Sequence, residues 1–317
     1  MYREVIEELE KANKIYIATH SNPDGDAIGS SLALCLALKS IGKDAKVIIP
    51  SNSRIFECLP TIEENRVSNI KEDEIDLLVF LDAGNIERIA IAKEDIPKAK
   101  RTLCIDHHKS PGKYTDVAFV DDKAPATAEL LFNIFEVMGI EMTVDMATNL
   151  YAAILTDTGS FKYASTRKET FIIGSKLIGM GINFSEIARE LLDTWEESKL
   201  RLIGKYVNNL EKLLDGKIEY SLVTQKELKE INISDEDAEG MANYGLKVRE
   251  SEVSIYVREK ENGTFKLSMR SKTKVDLDEI AIKFGGGGHK RAAGCTFTKE
   301  NFKENKEKLI ELIKEQL

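Results

Sequence analysis

The fold the sequence predicts is an α/β domain built on a parallel sheet, joined by a helix to a smaller α+β domain. Three observations predict it. Short, almost wholly apolar runs alternate with helix-like stretches through the first half. Beyond residue 216 the texture changes to strands that alternate apolar and polar residues. The chain's 317 residues make room for two domains at about 100–200 residues each. The expected division is 1–193 for the first domain, 194–215 for a connecting helix and 216–317 for the second.

NKIYIATH (13–20) is an apolar run that ends in a polar motif. GDAIGSSLALCLALKSIG (25–42) has helical apolar spacing and stops at Gly42, a natural C-terminal signal. DAKVIIP (44–50), DLLVFLD (76–82) and TLCID (102–106) are further strands. Because they are apolar nearly throughout rather than alternating, they predict a parallel sheet buried on both faces. Helices are then expected near 126–139, 144–156, 167–180 and 184–193, and an amphipathic one over 195–214. KIEYSLVT, SEVSIYVRE and TFKLSMRS alternate as half-exposed antiparallel strands do. Helices near 276–283 and 300–315 flank the strand AAGCTFT.

Composition narrows the function. A net charge of −9 argues against a protein that coats long duplex nucleic acid, which needs a broad basic surface. It leaves room for a small anionic ligand held by metals and a few local cations. No run approaches the 18 or so apolar residues of a membrane span, and the first residues lack the apolar core of a secretory signal. The cytoplasm is the expected location. Four cysteines, with no C-x-x-C pair, sit beside apolar residues and read as buried free thiols.

All four histidines, His20, His107, His108 and His289, stand in polar clusters where an apolar element ends. HSNPDGD (20–26) contributes His20, Asp24 and Asp26. Taken alone, this stretch reads equally well as helix capping by an aspartate. LDAGN (81–85) contributes Asp82, CIDHHKS (104–110) contributes Asp106, His107 and His108, and AAILTDTGSF (152–161) contributes Asp157. A turn-forming or capping Asp is the plainer reading of Asp82 or Asp157 by itself. Strands of one parallel sheet present their carboxyl ends on one edge, where ligands bind in open α/β folds. Converging carboxylates and imidazoles there are electrostatically untenable without cations. A mixed Asp/His set without Cys favours Mn²⁺ or a similar divalent ion, and the number of ligands suffices for two ions sharing a carboxylate. Such a centre activates water and stabilises in-line displacement at phosphorus. In the second domain, KFGGGGHKRAAG (283–294) puts Gly285, Gly286, Gly287 and Gly288 before His289, Lys290 and Arg291. That pattern reads as a flexible loop or, with the cations behind it, as an anion site. Arg270 closes a preceding strand.

HSNPDGDAIGS, LDAG, DHHKS and LTDTGS, in this order, resemble the DHH superfamily of phosphoesterases, and GGGGHKRAAG is similar to its DHHA1 second-domain signature. The resemblance covers essentially the whole chain and is greatest to the stand-alone group that acts on very short RNA and on 3′-phosphoadenosine 5′-phosphate (pAp). It implies that His20, Asp24 and Asp82 hold one Mn²⁺. It implies that Asp26, Asp82, His107 and Asp157 hold a second, with Asp82 bridging. His108 would face the scissile phosphate, Asp106 would orient a histidine, and Arg270, His289 and the glycine run would grip the substrate's terminal phosphate or nucleotide. The implied activity is hydrolysis of RNA of two to five nucleotides to nucleoside 5′-monophosphates, with pAp as a further substrate. A cyclic di-AMP or linear dinucleotide (pApA) phosphodiesterase is the nearest alternative. A non-catalytic nucleotide sensor is the alternative of another class, distinguished by keeping its output after Asp26→Ala. The resemblance also makes a homodimer reasonable. KSPGKYTD (109–116) is less typical and suggests no function.

Overall fold

The computed structural model describes residues 2–49, 56–108, 114–234 and 237–317. Residues 109–113, most of KSPGKYTD and the last two of DHHKS, lie outside the described residues, as does Pro50. The chain divides into two compact units, Met1–Thr194 and Trp195–Leu317.

The first unit holds a six-stranded, wholly parallel sheet. Its strands are β1 (Lys14–Ala18), β2 (Asp44–Ile48), β3 (Arg66–Val67), β4 (Ile75–Leu81), β5 (Ala99–Asp106) and β6 (Val117–Val120), in the spatial order β3-β2-β1-β4-β5-β6. Helices α1 (Arg3–Lys11), α2 (Gly25–Ser40), α4 (Thr127–Met138) and α5 (Val144–Asp157) cover one face, and the short α3 (Ile62–Asn65) precedes β3. Ile15, Ile17, Leu77, Val79, Leu103 and Ile105 point into the helical layer and are fully buried. Each such side chain contributes roughly 1.5–3 kcal/mol on burial. Tyr16, Ala18, Leu78 and Phe80 face the other side, where Ile70, Ala83, Ile89, Ile91, Ile96 and Tyr114 cover them. Connecting segments, rather than long helices, therefore seal the second face. Helices α6 (Lys168–Gly179) and α7 (Phe184–Ala188) follow α5. The expected helix at 184–193 changes to a π-helical turn over its last five residues, Arg189–Asp193.

The second unit opens with α8 (Glu197–Asn208), whose Leu202 and Tyr206 are buried in that unit's own core. The stretch expected to be one helix to residue 214 ends at Asn208, and β7 (Leu210–Leu213) continues it as an edge strand. β8 (Ile218–Val223), α9 (Gln225–Glu230), α10 (Ala242–Gly245), β9 (Val253–Glu259), β10 (Phe265–Ser271), α11 (Leu277–Ile282), β11 (Gly287–His289), β12 (Ala292–Phe297) and α12 (Phe302–Gln316) complete it. The sheet order is β11-β12-β10-β9-β8-β7. Contrary to the antiparallel expectation, β8 and β9 run parallel. A parallel pair needs a crossover, and residues 224–252 supply it. Its α9 and α10, with α8, bury the face of β9 that carries Tyr256, so β9 is buried on both faces rather than half-exposed. Three cysteines are buried, but Cys58 is exposed, a correction to the expectation for all four. No helix among the described residues is long and apolar enough to cross a membrane.

Register in the first sheet aligns the polar residues at its carboxyl edge. Ala18 pairs with Phe80, and Phe80 with Cys104. Two residues farther along come His20 and Asp82, just past β1 and β4, and Asp106, the last residue of β5. β1 and β4 are also the neighbours between which the strand order reverses, the switch point where crevices open in such sheets.

Candidate metal centre

Asp82 lies one residue past β4 with φ +51°, a left-handed conformation that Asp and Asn adopt more readily than other side-chain-bearing residues. Its carboxylate faces two ways. Oδ2 is 3.7 Å from His20 Nε2. Oδ1 is 3.2 Å from His107 Nε2 and 3.3 Å from His108 Nδ1, yet it is buried and aligned as a hydrogen bond with neither.

The helices bring the other carboxylates. Asp24 is the N-cap of α2, accepting from the Ala27 N–H at 3.1 Å, while its Oδ2 lies 4.0 Å from His20 Nε2. Capping and site membership coincide in this one residue. Asp26, fully buried, accepts from Ser30 Oγ at 2.8 Å and from the first N–H groups of α4, Thr127 at 2.6 Å and Ala128 at 3.0 Å. It thus also serves the positive end of a second helix. Its Oδ2 is 3.8 Å from His107 Nε2. Asp157 ends α5 with Oδ2 at 3.2 Å from the same nitrogen. Two glycines let α2 approach α5 this closely. A Cβ on Gly25 would stand 2.3 Å from Thr156 Oγ1, and one on Gly29 would stand 2.4 Å from the Asn149 carbonyl oxygen.

Electrostatics pull these groups apart. Burial, reinforced by the charge of Asp82, pushes the Asp26 carboxyl up to about 7. Burial and the neighbouring carboxylates Asp26, Asp24 and Asp82 push Asp157 up to about 9. Burial and Asp82 likewise raise Asp24. Burial works in the same direction on Asp82, but contacts with His107, His108 and His20 overcome it and hold Asp82 below the ordinary carboxylate range. Burial disfavours the His107 imidazolium, yet Asp82, Asp26 and Asp157 lift it to about 9. Carboxylates this close cannot all ionise without cations to balance them.

The donor set fits divalent ions. Three groups each bring candidate ligand atoms within 4.8 Å of one another: His20, Asp24 and Asp82; Asp26, His107 and Asp157; and Asp82, His107 and His108. The buried, unbonded Asp82 Oδ1 is the kind of orphan an ion satisfies. His107 Nδ1 lies 3.2 Å from the Ala124 carbonyl; donating there would leave Nε2 as the nitrogen whose proton an ion displaces to gain a lone pair. His20 Nδ1 is buried without such a partner. Asp106 is fully buried and accepts from Gly84 N–H at 2.8 Å, His108 N–H at 2.9 Å and His108 Nδ1 at 2.7 Å. His108 contacts hold it low against burial. In return Asp106, then Asp82, raises His108 to about 10.

The second-unit candidates are arranged differently. Arg270, Gly285, Gly286 and Gly287 line a concavity of about 450 Å³ together with Lys266 and Glu239. His289 is exposed and lies outside it. The glycine run is also not an open cradle of N–H groups, as the sequence suggested. Gly285 N–H donates to Ile282, Gly286 N–H to Ala281, and Gly288 N–H to Asp278 Oδ1 at 2.8 Å. Gly287–His289 pair with β12 as a strand. The glycines make that hairpin possible: a Cβ on Gly286 would lie 2.1 Å from the Gly294 carbonyl oxygen, and one on Gly288 would lie 2.4 Å from that of Ala292.

Several supporting groups carry no signal in the sequence. Nothing local marks Thr127 and Ala128 as donors to a carboxylate 101 and 102 positions away. Gly84 and Asn85 stand inside LDAGN, where they read as ordinary turn residues beside Asp82.

Known proteins resemble this chain over both units. The DHH family, N-terminal domain, matches residues 14–154, and the DHHA1 domain matches 216–317. A Thermus thermophilus protein named bifunctional oligoribonuclease and PAP phosphatase NrnA is 33% identical, over 99% of this chain and 93% of its own. The crystal structure of an exopolyphosphatase-related protein from Bacteroides fragilis superposes with TM-score 0.89 at 29% identity, covering 98% of this chain and 95% of that one. The exonuclease RecJ, solved with manganese, shares the fold at TM-score 0.53 and 17% identity, over 97% of this chain and 92% of its own.

Proposed function

The chain belongs to the DHH family and carries its DHHA1 domain, and from that premise we propose that it is a two-metal, Mn²⁺-dependent phosphoesterase. In this reading it hydrolyses RNA of two to five nucleotides to nucleoside 5′-monophosphates, and pAp to AMP. The observation that carries the reading is the shared position of Asp82, whose two oxygens face two separate ligand groups. The relative named as an oligoribonuclease and PAP phosphatase supports the substrate class.

His20, Asp24 and Asp82 would hold one ion; Asp26, Asp82, His107 and Asp157 would hold the other. When bound, the ions supply Lewis acidity toward the phosphoryl oxygens and lower the pKa of water. His108, kept protonated by Asp106, donates a charge-assisted hydrogen bond to the phosphoryl group and a proton toward the leaving ribose oxygen. In the second unit, Arg270 and the concavity it lines with Gly285–Gly287 would take a phosphate or nucleotide of the substrate, with His289, outside that concavity, as a further contact.

The test is one panel with Mn²⁺: RNA of two to five and of twenty nucleotides, pAp, pApA, cyclic di-AMP and pyrophosphate. Short RNA and pAp should be consumed preferentially, and Asp26→Ala or His107→Ala should abolish turnover by orders of magnitude. Preference for pyrophosphate, or for the long RNA over the short, would sink the proposal. Retained turnover in both variants would sink it equally.

A further inference from the structure

One cation at the rim of the metal centre stands apart from the ligand groups. Arg88 lies in the 3₁₀ turn Ile86–Arg88 that follows Asp82, Gly84 and Asn85. Its backbone is clamped on both sides. Arg88 N–H donates to Asn85 Oδ1 at 3.1 Å, and the Arg88 carbonyl accepts from the Ser21 N–H at 2.7 Å. The next residue, Ile89, bridges His20. The turn is therefore fastened to the HSNPDGD segment at one end and to the Asp82 segment at the other.

The side chain stays at the rim. A Cβ built on Gly84 would lie 3.5 Å from Arg88 Nη1 and 3.9 Å from the His108 ring. The guanidinium and the His108 imidazole thus both border the same glycine. Arg88 is exposed, and among the described residues it makes no side-chain hydrogen bond or ion pair. Other arginines of its unit behave differently. Arg3, Arg66, Arg101, Arg167 and Arg189 each pair with a carboxylate. An unpaired guanidinium next to so many carboxylates, held by its backbone and not by a salt bridge, has its fork of donors available to a planar or tetrahedral anion.

We infer that Arg88 is a substrate-binding residue that grips the phosphoryl group under attack, from the side shared with His108. The inference rests on the proposed phosphoesterase activity and adds a second protein cation to the reacting phosphate. A guanidinium that contacts that group in the ground state and more strongly in the transition state affects binding and turnover together.

The experiment compares wild type, Arg88→Ala and Arg88→Lys as full chains with Mn²⁺. It measures steady-state kinetics on pApA, calorimetric binding of AMP, Mn²⁺ affinity and Tm. Arg88→Ala should raise KM and lower kcat, with kcat/KM reduced about 10²–10³-fold, on the scale of losing one oxyanion donor. Arg88→Lys should recover part of that loss, AMP binding should weaken at least about 10-fold, and Mn²⁺ affinity and Tm should not move. Kinetics or AMP binding of Arg88→Ala within threefold of wild type would overturn the assignment, as would a loss explained by weaker Mn²⁺ binding. A wild type inactive on pApA and on the whole panel would count against the phosphoesterase reading alone, because AMP binding still decides the role of Arg88.

Discussion

Asp106 is a member of none of the three candidate ion groups, yet it governs how His108 is presented. Of its three accepted hydrogen bonds, the two from His108, one backbone N–H and one ring Nδ1, fix the ring and leave Nε2 without a bond to Asp106. Asp106→Asn keeps the shape and removes the charge, so the fold should persist while kcat falls about 10–100-fold, the usual cost of losing an orienting carboxylate. Steady-state kinetics alongside a thermal melt check this: an unchanged kcat would remove Asp106 from the machinery. The six candidate ligands and the Asp106–His107–His108 run were legible in the sequence because each stands at or near an end of an apolar element, and burying such groups without partners is costly. Arg88 was not legible. An arginine in NIERI looks like any solvated surface residue, and its unpaired state is visible only once the other described guanidinium groups of the unit have been placed.

At the scale of elements, the contact between α2 and α5 sets the distance between Asp26 and Asp157. Gly29→Ala would drive a methyl against the Asn149 carbonyl, with the Ala153 Cβ another 3.1 Å away. Overpacking of this kind costs about 1–3 kcal/mol, and Mn²⁺ affinity should weaken with it. Gly204, inside α8, has nothing within 4 Å of its would-be Cβ, so Gly204→Ala should stabilise by about 0.5–1 kcal/mol. Denaturant unfolding of the two variants should therefore move in opposite directions; equal shifts would refute the contact argument. Sequence periodicity placed both helices within a residue or two. It could not show that Gly25 and Gly29, four apart in a good helical pattern, are where the backbones meet. It also read β8 and β9 as an antiparallel pair, because alternation reports which face is covered and not which way the partner runs. The glycines at 285–288 looked like a loop for a related reason: a strand with no side chains has no alternation to detect.

Across the whole molecule, charge acts locally. A net charge of −9 fits affinity concentrated at one site rather than along a basic track. It also makes acid stability depend on particular carboxylates. Glu72 is held down to about 2 by the Tyr16 hydroxyl and the Lys46 ammonium. Asp76 is held at about 2 by the Lys14 N–H, Lys100 and the Asn13 N–H. Both values lie below the unfolded range, so their stabilisation is complete above about pH 4.5 and is lost as pH falls toward about 2. Glu72→Gln should lower Tm at pH 6 and match wild type near pH 2. A Tm gap that stayed constant with pH would refute the link. The presence of a second domain was legible from the change in texture near residue 216, but the compact units divide at Thr194 and Trp195, and the strand Leu210–Leu213 was hidden inside a pattern that continues an amphipathic helix.

The left-handed backbone at Asp82 has a practical consequence for dissecting the site. Asparagine is the side chain whose size and conformational tolerance match aspartate there. Asp82→Asn therefore subtracts one negative charge while leaving the turn into Gly84 as it is. Asp82→Ala changes charge, shape and backbone preference together, so its phenotype mixes three causes. The asparagine variant is the cleaner instrument for asking what the shared carboxylate itself does.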